Sequence, residues 1–147
     1  MDEELSPLDL DRFAPYLVNV LADRMSSELA AIYHARFGIT IPEWRVIAHL
    51  AQNRKVSVRE IHERVAMDKS RVSRAAARLE TSGLIEKRVN ASDRRLLELS
   101  LTRKGRRLFN EIAPLAMAYE QQFLSKLNQD EEILFRSFVD RLLADAP

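Results

Sequence analysis

Apolar side chains recur at steps of three and four through several long stretches of the chain. The first runs from Phe13 to Phe37, where Phe13, Leu17, Leu21, Met25, Leu29 and Ile32 keep that rhythm and Gly38 follows. The spacing predicts a helix with a glycine stop. Pro42, preceded by Thr40 or Ile41, opens a second helix, "PEWRVIAHLAQN", with Trp44, Ile47 and Leu50 or Ala51 turned inward. Near the other end, Thr102 caps "RKGRRLFNEIAPLAMAYEQQFLSKL", whose apolar stripe is Leu108, Ile112, Leu115, Tyr119 and Phe123. Pro114 predicts a kink in it. Asn128 or Asp130 opens a last helix carrying Ile133, Leu134, Phe138, Leu142 and Leu143.

The middle is built from shorter pieces. Ser57 and Glu60 match the S-x-x-E capping box, which predicts a helix from Val58 to about Val65. Asp68 is an N-cap for a second helix, and Gly83 ends it just beyond Ser82. At roughly 100° per residue, Arg71, Arg74 and Arg78 of that helix fall within an arc of about 60°. Val72, Ala75, Ala76 and Leu79 form a separate apolar stripe, and the small residues Ser70 and Ala77 lie beside the arginines. After Gly83 the period changes. "LIEKRV" and "LLELSL" are short, rich in Leu, Ile and Val and partly alternating, and the basic turn "NASDRR" lies between them. This predicts a two-stranded hairpin with Arg94 and Arg95 near its tip. Two short helices joined by a tight turn, the second basic, followed by a basic hairpin, make a winged helix-turn-helix. The expected class is mainly α with a small β-hairpin.

Composition narrows the picture. The 147 residues are 46% hydrophobic and 31% charged, with three glycines and five prolines, which suits one largely helical domain. There is no cysteine, so disulfides, thiolate metal sites and thiol redox sensing are excluded. No apolar run reaches membrane-spanning length and the acidic start "MDEELSPLDLDRF" lacks a signal-peptide pattern, so a cytoplasmic location and no membrane partner are expected. The net charge of +1 conceals an uneven spread: residues 54–107 hold 16 Lys and Arg against 7 Asp and Glu, leaving 7 basic and 15 acidic residues elsewhere. A basic middle of balance +9 between ends of balance −8 points to a polyanion as partner of the middle. A helix fits the major groove, arginine pairs bidentately with guanine and strongly with phosphate, and a hairpin arginine reaches the minor groove. The same features also suit a solvated charged face or a winged helix that binds protein. The end helices carry apolar stripes too rich to leave exposed. Burial against a second copy is the simplest solution, with Phe13, Leu17, Ile133, Leu134, Phe138 and Leu142 as the shared core.

From about Leu10 to Leu143 the sequence resembles the MarR family of bacterial winged-helix transcriptional regulators. The resemblance is carried by "MDKSRVSRAAARLETSGLIEKR", by "DRRLLELSLTRKG" and by "GITIPEWRVIAHLA". It implies a homodimer bound to a pseudo-palindromic operator in double-stranded DNA, usually as a repressor. It also implies a small anionic, often aromatic, ligand that weakens DNA binding, such as an organic acid or acyl thioester. Carried over position by position, the recognition residues are Lys69, Ser70, Arg71, Ser73, Arg74 and Arg78, and the wing residues are Asp93, Arg94 and Arg95. Asp93 either fixes a wing arginine by a charge-assisted hydrogen bond or simply forms the turn. The expected layout is a single domain, 1–147, with a DNA-binding lobe over about 40–105 and dimerisation helices over about 8–37 and 106–145. The alternatives are a protein-interaction module and a DNA-binding protein without an effector.

An effector pocket would lie where the first, second and fifth helices meet the DNA-binding lobe. Tyr33, Trp44, Arg45 and His49, with Arg24, are its candidates: Arg45 to pair a carboxylate, Tyr33 and Trp44 to flank a ring. The rival roles are a core anchor for Trp44 and a surface ion pair for Arg45. His34, His49 and His62 form no ligand-spaced cluster, so no metal is expected. No cofactor and no enzymatic activity are expected either, since phosphate loop, nucleophile elbow and H-E-x-x-H are all absent.

Overall fold

A computed structural model describes residues 2–52, 56–65 and 67–144. Asn53, the expected end of the second helix, and residue 145, the expected end of the last segment, lie outside the described residues. A short 3-10 turn over Leu10–Arg12 precedes α1 (Ala14–Phe37) and α2 (Ile41–Gln52). Then come β1 (Val56–Ser57), α3 (Val58–Arg64), α4 (Lys69–Thr81), β2 (Ile85–Val89) and β3 (Leu97–Leu101). α5 (Arg103–Leu124) and α6 (Gln129–Leu143) complete the chain.

The helix ends lie where the local chemistry puts them. Gly38 adopts φ 68° and its N–H bonds the His34 carbonyl, closing α1. Asp68 caps α4, Thr102 caps α5, and Asn128 with Glu131 forms a full reciprocal capping box on α6. At α3 the box is only half made. Ser57 Oγ accepts the Glu60 N–H, but its hydroxyl then donates to the Glu60 carboxylate. The Ser57 backbone is free for a different use, because residues 56–57 form a strand.

That strand is the one correction to the expected architecture. The expected hairpin of β2 and β3 is present, but it belongs to a three-stranded sheet: β1 pairs antiparallel with β3, Val56 opposite Leu99 and Ser57 opposite Glu98, giving the order β1-β3-β2. A dipeptide is too short to show a period, so no pattern announced it. β2 and β3 pair Ile85 with Leu101, Lys87 with Leu99 and Val89 with Leu97. Ile85, Leu99 and Leu101 at the base are buried, while Val89 and Leu97 near the tip are exposed. The hairpin is thus rooted in the core and projects from it.

One core holds the central lobe together. Val46, Ile47 and Leu50 of α2, Ile61 of α3, Val72 and Leu79 of α4, Leu99 of β3 and Ile112 of α5 are all buried within it. Trp44 is only half-buried, and Val46 takes the deeper place. The end helices are different. α1 buries only Tyr33 within the chain and α6 buries nothing. The face of α1 that carries Phe13 and Leu17 stays open.

Candidate nucleic-acid interface

α4 is oriented by its apolar face. Val72, Ala75 and Leu79 are fully buried, while Lys69, Arg71, Arg74 and Arg78 are exposed, the three arginines along one flank beside the buried stripe. Asp68 accepts the Arg71 N–H at 2.9 Å and the Ser70 hydroxyl at 2.8 Å. These bonds hold its carboxyl below the ordinary 3.8, the backbone bond contributing most and the serine next. Ser73 Oγ lies 3.3 Å from His62 Nε2, which ties α4 to α3 across the turn. The two serines therefore organise the helix start and the helix pair.

Arg71, Arg74 and Arg78 share a cleft of about 200 Å³ with Thr40 and Pro42 at the start of α2. Sequence reasoning missed this neighbourhood. Thr40 and Pro42 were legible only as helix-start residues, and nothing in spacing brings α2 beside α4. Glu43 is buried there and pairs with Arg78 Nε at 3.6 Å.

At the wing, Asp93 does both jobs considered for it. Its Oδ1 accepts the Arg95 N–H at 3.0 Å and the Arg95 Nε–H at 3.1 Å, while its carbonyl takes the Leu96 N–H. The Arg95 guanidinium, then the backbone bond, hold its carboxyl below the ordinary value. Arg94 is exposed and makes no ion pair among the described residues. Asn90 is a second organiser that the motif did not reveal. Its Oδ1 accepts the N–H groups of Ser92 and Asp93, and its Nδ2 donates to Glu98. An asparagine opening a turn is a general signal for this role.

The five proposed effector residues are only partly gathered. Tyr33 and Trp44 sit with ring centroids 5.7 Å apart, and Trp44 stacks on Phe109 at 5.8 Å. Burial pushes the Tyr33 hydroxyl up to about 12, against the opposing pull of Arg45. Arg45 reaches Ser26 Oγ at 3.5 Å, bridging α2 to α1, while Arg24 stays exposed on α1. Two clefts lie nearby. One, of about 460 Å³, is lined by Leu50, Ala51, Leu101, Arg106, Phe109 and Asn110. The other, of about 290 Å³, lies between α1 and α5 against Met25, Leu29, Met117 and Tyr119. None of the five residues lines either. Among the described residues no group of His, Cys, Asp or Glu is placed to hold a metal ion.

His49 gives a test of this packing. Burial, then Arg64, then Arg45 push its imidazole below the ordinary 6.5. The folded state thus resists a proton that the unfolded chain takes up, so stability is full above the unfolded value and declines as pH falls through the folded one. Urea midpoints are expected to fall between about pH 7.5 and about pH 5.5, and to fall less in His49→Gln. An equal decline in both proteins would place the titration elsewhere.

Two short helices at the foot of a three-stranded sheet, with an arginine face on the second and a basic projecting hairpin, define a winged-helix DNA-binding protein. Comparison with known proteins agrees. Residues 37–96 match the model of the MarR family. The HTH-type transcriptional repressor MdtR of Bacillus subtilis is 36% identical over 109 residues, covering 74% of this chain and 70% of that protein. A MarR/EmrR family regulator from Acinetobacter sp. ADP1 superposes with TM-score 0.82 at 29% identity, covering 92% of this chain and 95% of that one. The PcaV regulator of Streptomyces coelicolor, solved in complex with its natural ligand, gives 0.74 at 25% identity over 97% of this chain and 100% of that one. The chain belongs to the MarR family. It is a DNA-binding transcriptional regulator and not an enzyme. Among the described residues no helix is long and apolar enough to cross a membrane.

Proposed function

We propose that the chain acts as a homodimeric, cytoplasmic repressor that places α4 of each protomer in the major groove of one half of a pseudo-palindromic operator. The observation that carries this is the exposed arginine face of α4, whose orientation is fixed by the burial of Val72, Ala75 and Leu79 on the adjoining stripe. Half-site centres are then expected about one helical turn apart, roughly 10 base pairs, or a multiple of that. The wing, with Arg94 and Arg95, reaches the adjacent minor groove. Repression is supported by likeness to a named repressor.

Arg74 is the base-reading candidate, because it lies mid-helix between the small residues Ser70 and Ala77 and its side chain is exposed. Arg74→Ala is expected to weaken operator binding by about 1–3 kcal/mol and to relax preference at one base position. Arg94→Ala is expected to weaken binding evenly across sequences and to lower the salt slope by about one. Anisotropy titrations against the operator and random DNA separate the two. An equal loss on both DNAs for Arg74→Ala would make it a phosphate contact.

A second reading concerns release by a small organic acid or acyl thioester. It is supported by the cleft of about 460 Å³, which sets Arg106 and Asn110 beside the apolar walls of Leu50 and Phe109. That volume suits a small ligand with one polar end. Arg45 and His49 at the α1–α2 junction are the other candidates. A screen of aromatic acids for raised melting temperature and lost operator binding tests it, and Arg106→Ala against Arg45→Ala assigns the location.

A further inference from the structure

We infer that Glu43, which lies outside the two helices of the helix-turn-helix, is a positioning residue for DNA recognition: it clamps Arg78 at the edge of the arginine face of α4. The inference rests on the reading of that face as the DNA contact.

Glu43 is only 7% exposed, the one charged residue among those described that is buried. A buried carboxylate needs donors. It has three. Glu43 Oε1 accepts the Thr40 hydroxyl at 2.7 Å and the Thr40 N–H at 3.4 Å, and Arg78 Nε lies 3.6 Å from the same oxygen. The Thr40 contacts, with the Glu43 N–H returning to Thr40 Oγ1 at 3.3 Å, are the capping box of α2. A glutamine serves that box as well as a glutamate. The cap therefore has no need of the charge. Among the described residues the cation that pairs with the charge is Arg78.

Arg78 is held along its Nε edge while its side chain remains 51% exposed. It lines the cleft shared with Thr40, Pro42, Arg71 and Arg74, and a second one with Gly38, Glu43, Ala77, Thr81 and Ser82. A long side chain held in one geometry before DNA arrives loses less freedom on binding. The clamp also ties the start of α2 to α4, which fixes the angle at which the arginine face is presented.

The two roles open to Glu43 predict opposite signs. A carboxylate close to bound DNA repels phosphate. If Glu43 were only a cap, Glu43→Gln would leave the fold intact and tighten DNA binding. If it positions Arg78, the same change weakens binding despite removing a negative charge.

The test uses the full chain and a DNA fragment selected for tight binding by the wild type. Glu43→Gln, Arg78→Ala and the double variant are compared by anisotropy at several salt concentrations, with melting temperatures alongside. Glu43→Gln is expected to weaken binding about fivefold, the scale of one partly exposed ion pair. Arg78→Ala is expected to do at least as much and to lower the salt slope by about one. In the Arg78→Ala background Glu43→Gln is expected to change nothing or to tighten binding, a result that stands even if the single variant loses some stability. Unchanged or tighter binding for the single variant, or additive losses in the double, would overturn the inference. If Arg78→Ala is silent while Arg74→Ala is not, the inference fails and the reading of the interface stands. If both arginine variants are silent, both fail.

Discussion

Gly105→Ala is expected to destabilise the protein by about 3 kcal/mol, although helix propensity alone predicts the reverse. Gly105 lies in the first turn of α5, where alanine normally gains about 1 kcal/mol over glycine. A methyl at this position, however, would lie 2.0 Å from the Leu84 carbonyl oxygen and 3.2 Å from Leu101 Cδ2. The nearer atom is backbone, as is the Leu84 carbonyl carbon at 3.1 Å, and backbone does not swing away as a side-chain tip can. The junction is also dense in hydrogen bonds: Thr102 N–H to the Leu84 carbonyl at 3.1 Å, the Thr102 hydroxyl to the Gly83 carbonyl at 2.6 Å, and Lys104 Nζ to the Ser82 carbonyl at 2.9 Å. Pushing α5 back to admit the methyl stretches all of them, and with them the root of the wing. For a chain of this size the melting temperature is expected to fall by roughly 5–10 °C. Gly83→Ala is the control. Gly83 has φ 74° with open space around its Cα, so only the backbone penalty of about 1–2 kcal/mol applies. A Gly105→Ala protein that melts at or above the wild type would mean that α5 and Leu84 are not in such close contact.

Gly105 also illustrates what a linear reading misses. The glycine was visible in the "LTRKG" stretch, but its reason lies in a carbonyl twenty-one positions earlier. What was legible was local. Asp68, Thr102 and Asn128 announce helix starts because a side-chain oxygen two or three residues from free N–H groups is a short-range event. The arginine face of α4 was legible because the 3.6-residue period sets Arg71, Arg74 and Arg78 on a different stripe from Val72, Ala75 and Leu79. β1 was invisible because its two residues gain their identity only by pairing with Leu99 and Glu98, some forty positions on. Nothing in the sequence singled out Glu43, since neither its burial nor its meeting with Arg78 is encoded within one helix. The effector candidates show the limit from the other side. Tyr33, Trp44 and Arg45 are recognisable residue types, but periodicity does not say that Trp44 will stack on Phe109. Nor does it say that the larger nearby cleft will be lined by Leu50, Arg106 and Asn110.

Phe138→Glu is expected to leave the protomer folded and to cost operator binding about a thousandfold, without touching a DNA-facing residue. Within one chain α6 has no buried residue. Ile133 and Leu134 are exposed, Phe138 is 50% and Leu142 85% exposed, and Phe13 and Leu17 present further open apolar surface on α1. Exposed apolar side chains in this number call for a partner, and in our reading it is the same surface of a second copy. The helix is meanwhile linked to its own chain by an exposed ion pair, Arg136 with Glu120 of α5 at 3.3 Å, while the Arg136–Glu132 pair at 3.2 Å lies within α6. The change lies on the open face of α6, away from this pair, and the buried core of the central lobe is untouched. A glutamate at Phe138 puts an unpaired charge into the dimer core, where one aromatic anchor alone is typically worth 2 kcal/mol or more. The consequence for DNA is geometric. A dimer engages two half-sites at once, whereas a monomer holds one α4 and one wing and retains little beyond the salt-dependent attraction to phosphate. Sedimentation should show the wild type as a dimer at micromolar concentration and Phe138→Glu as a monomer with unchanged helical circular dichroism. Operator affinity should then approach that for random DNA. A variant that remains dimeric and keeps its operator affinity would move the self-association surface away from α6, and a wild type that is monomeric at that concentration would remove it altogether.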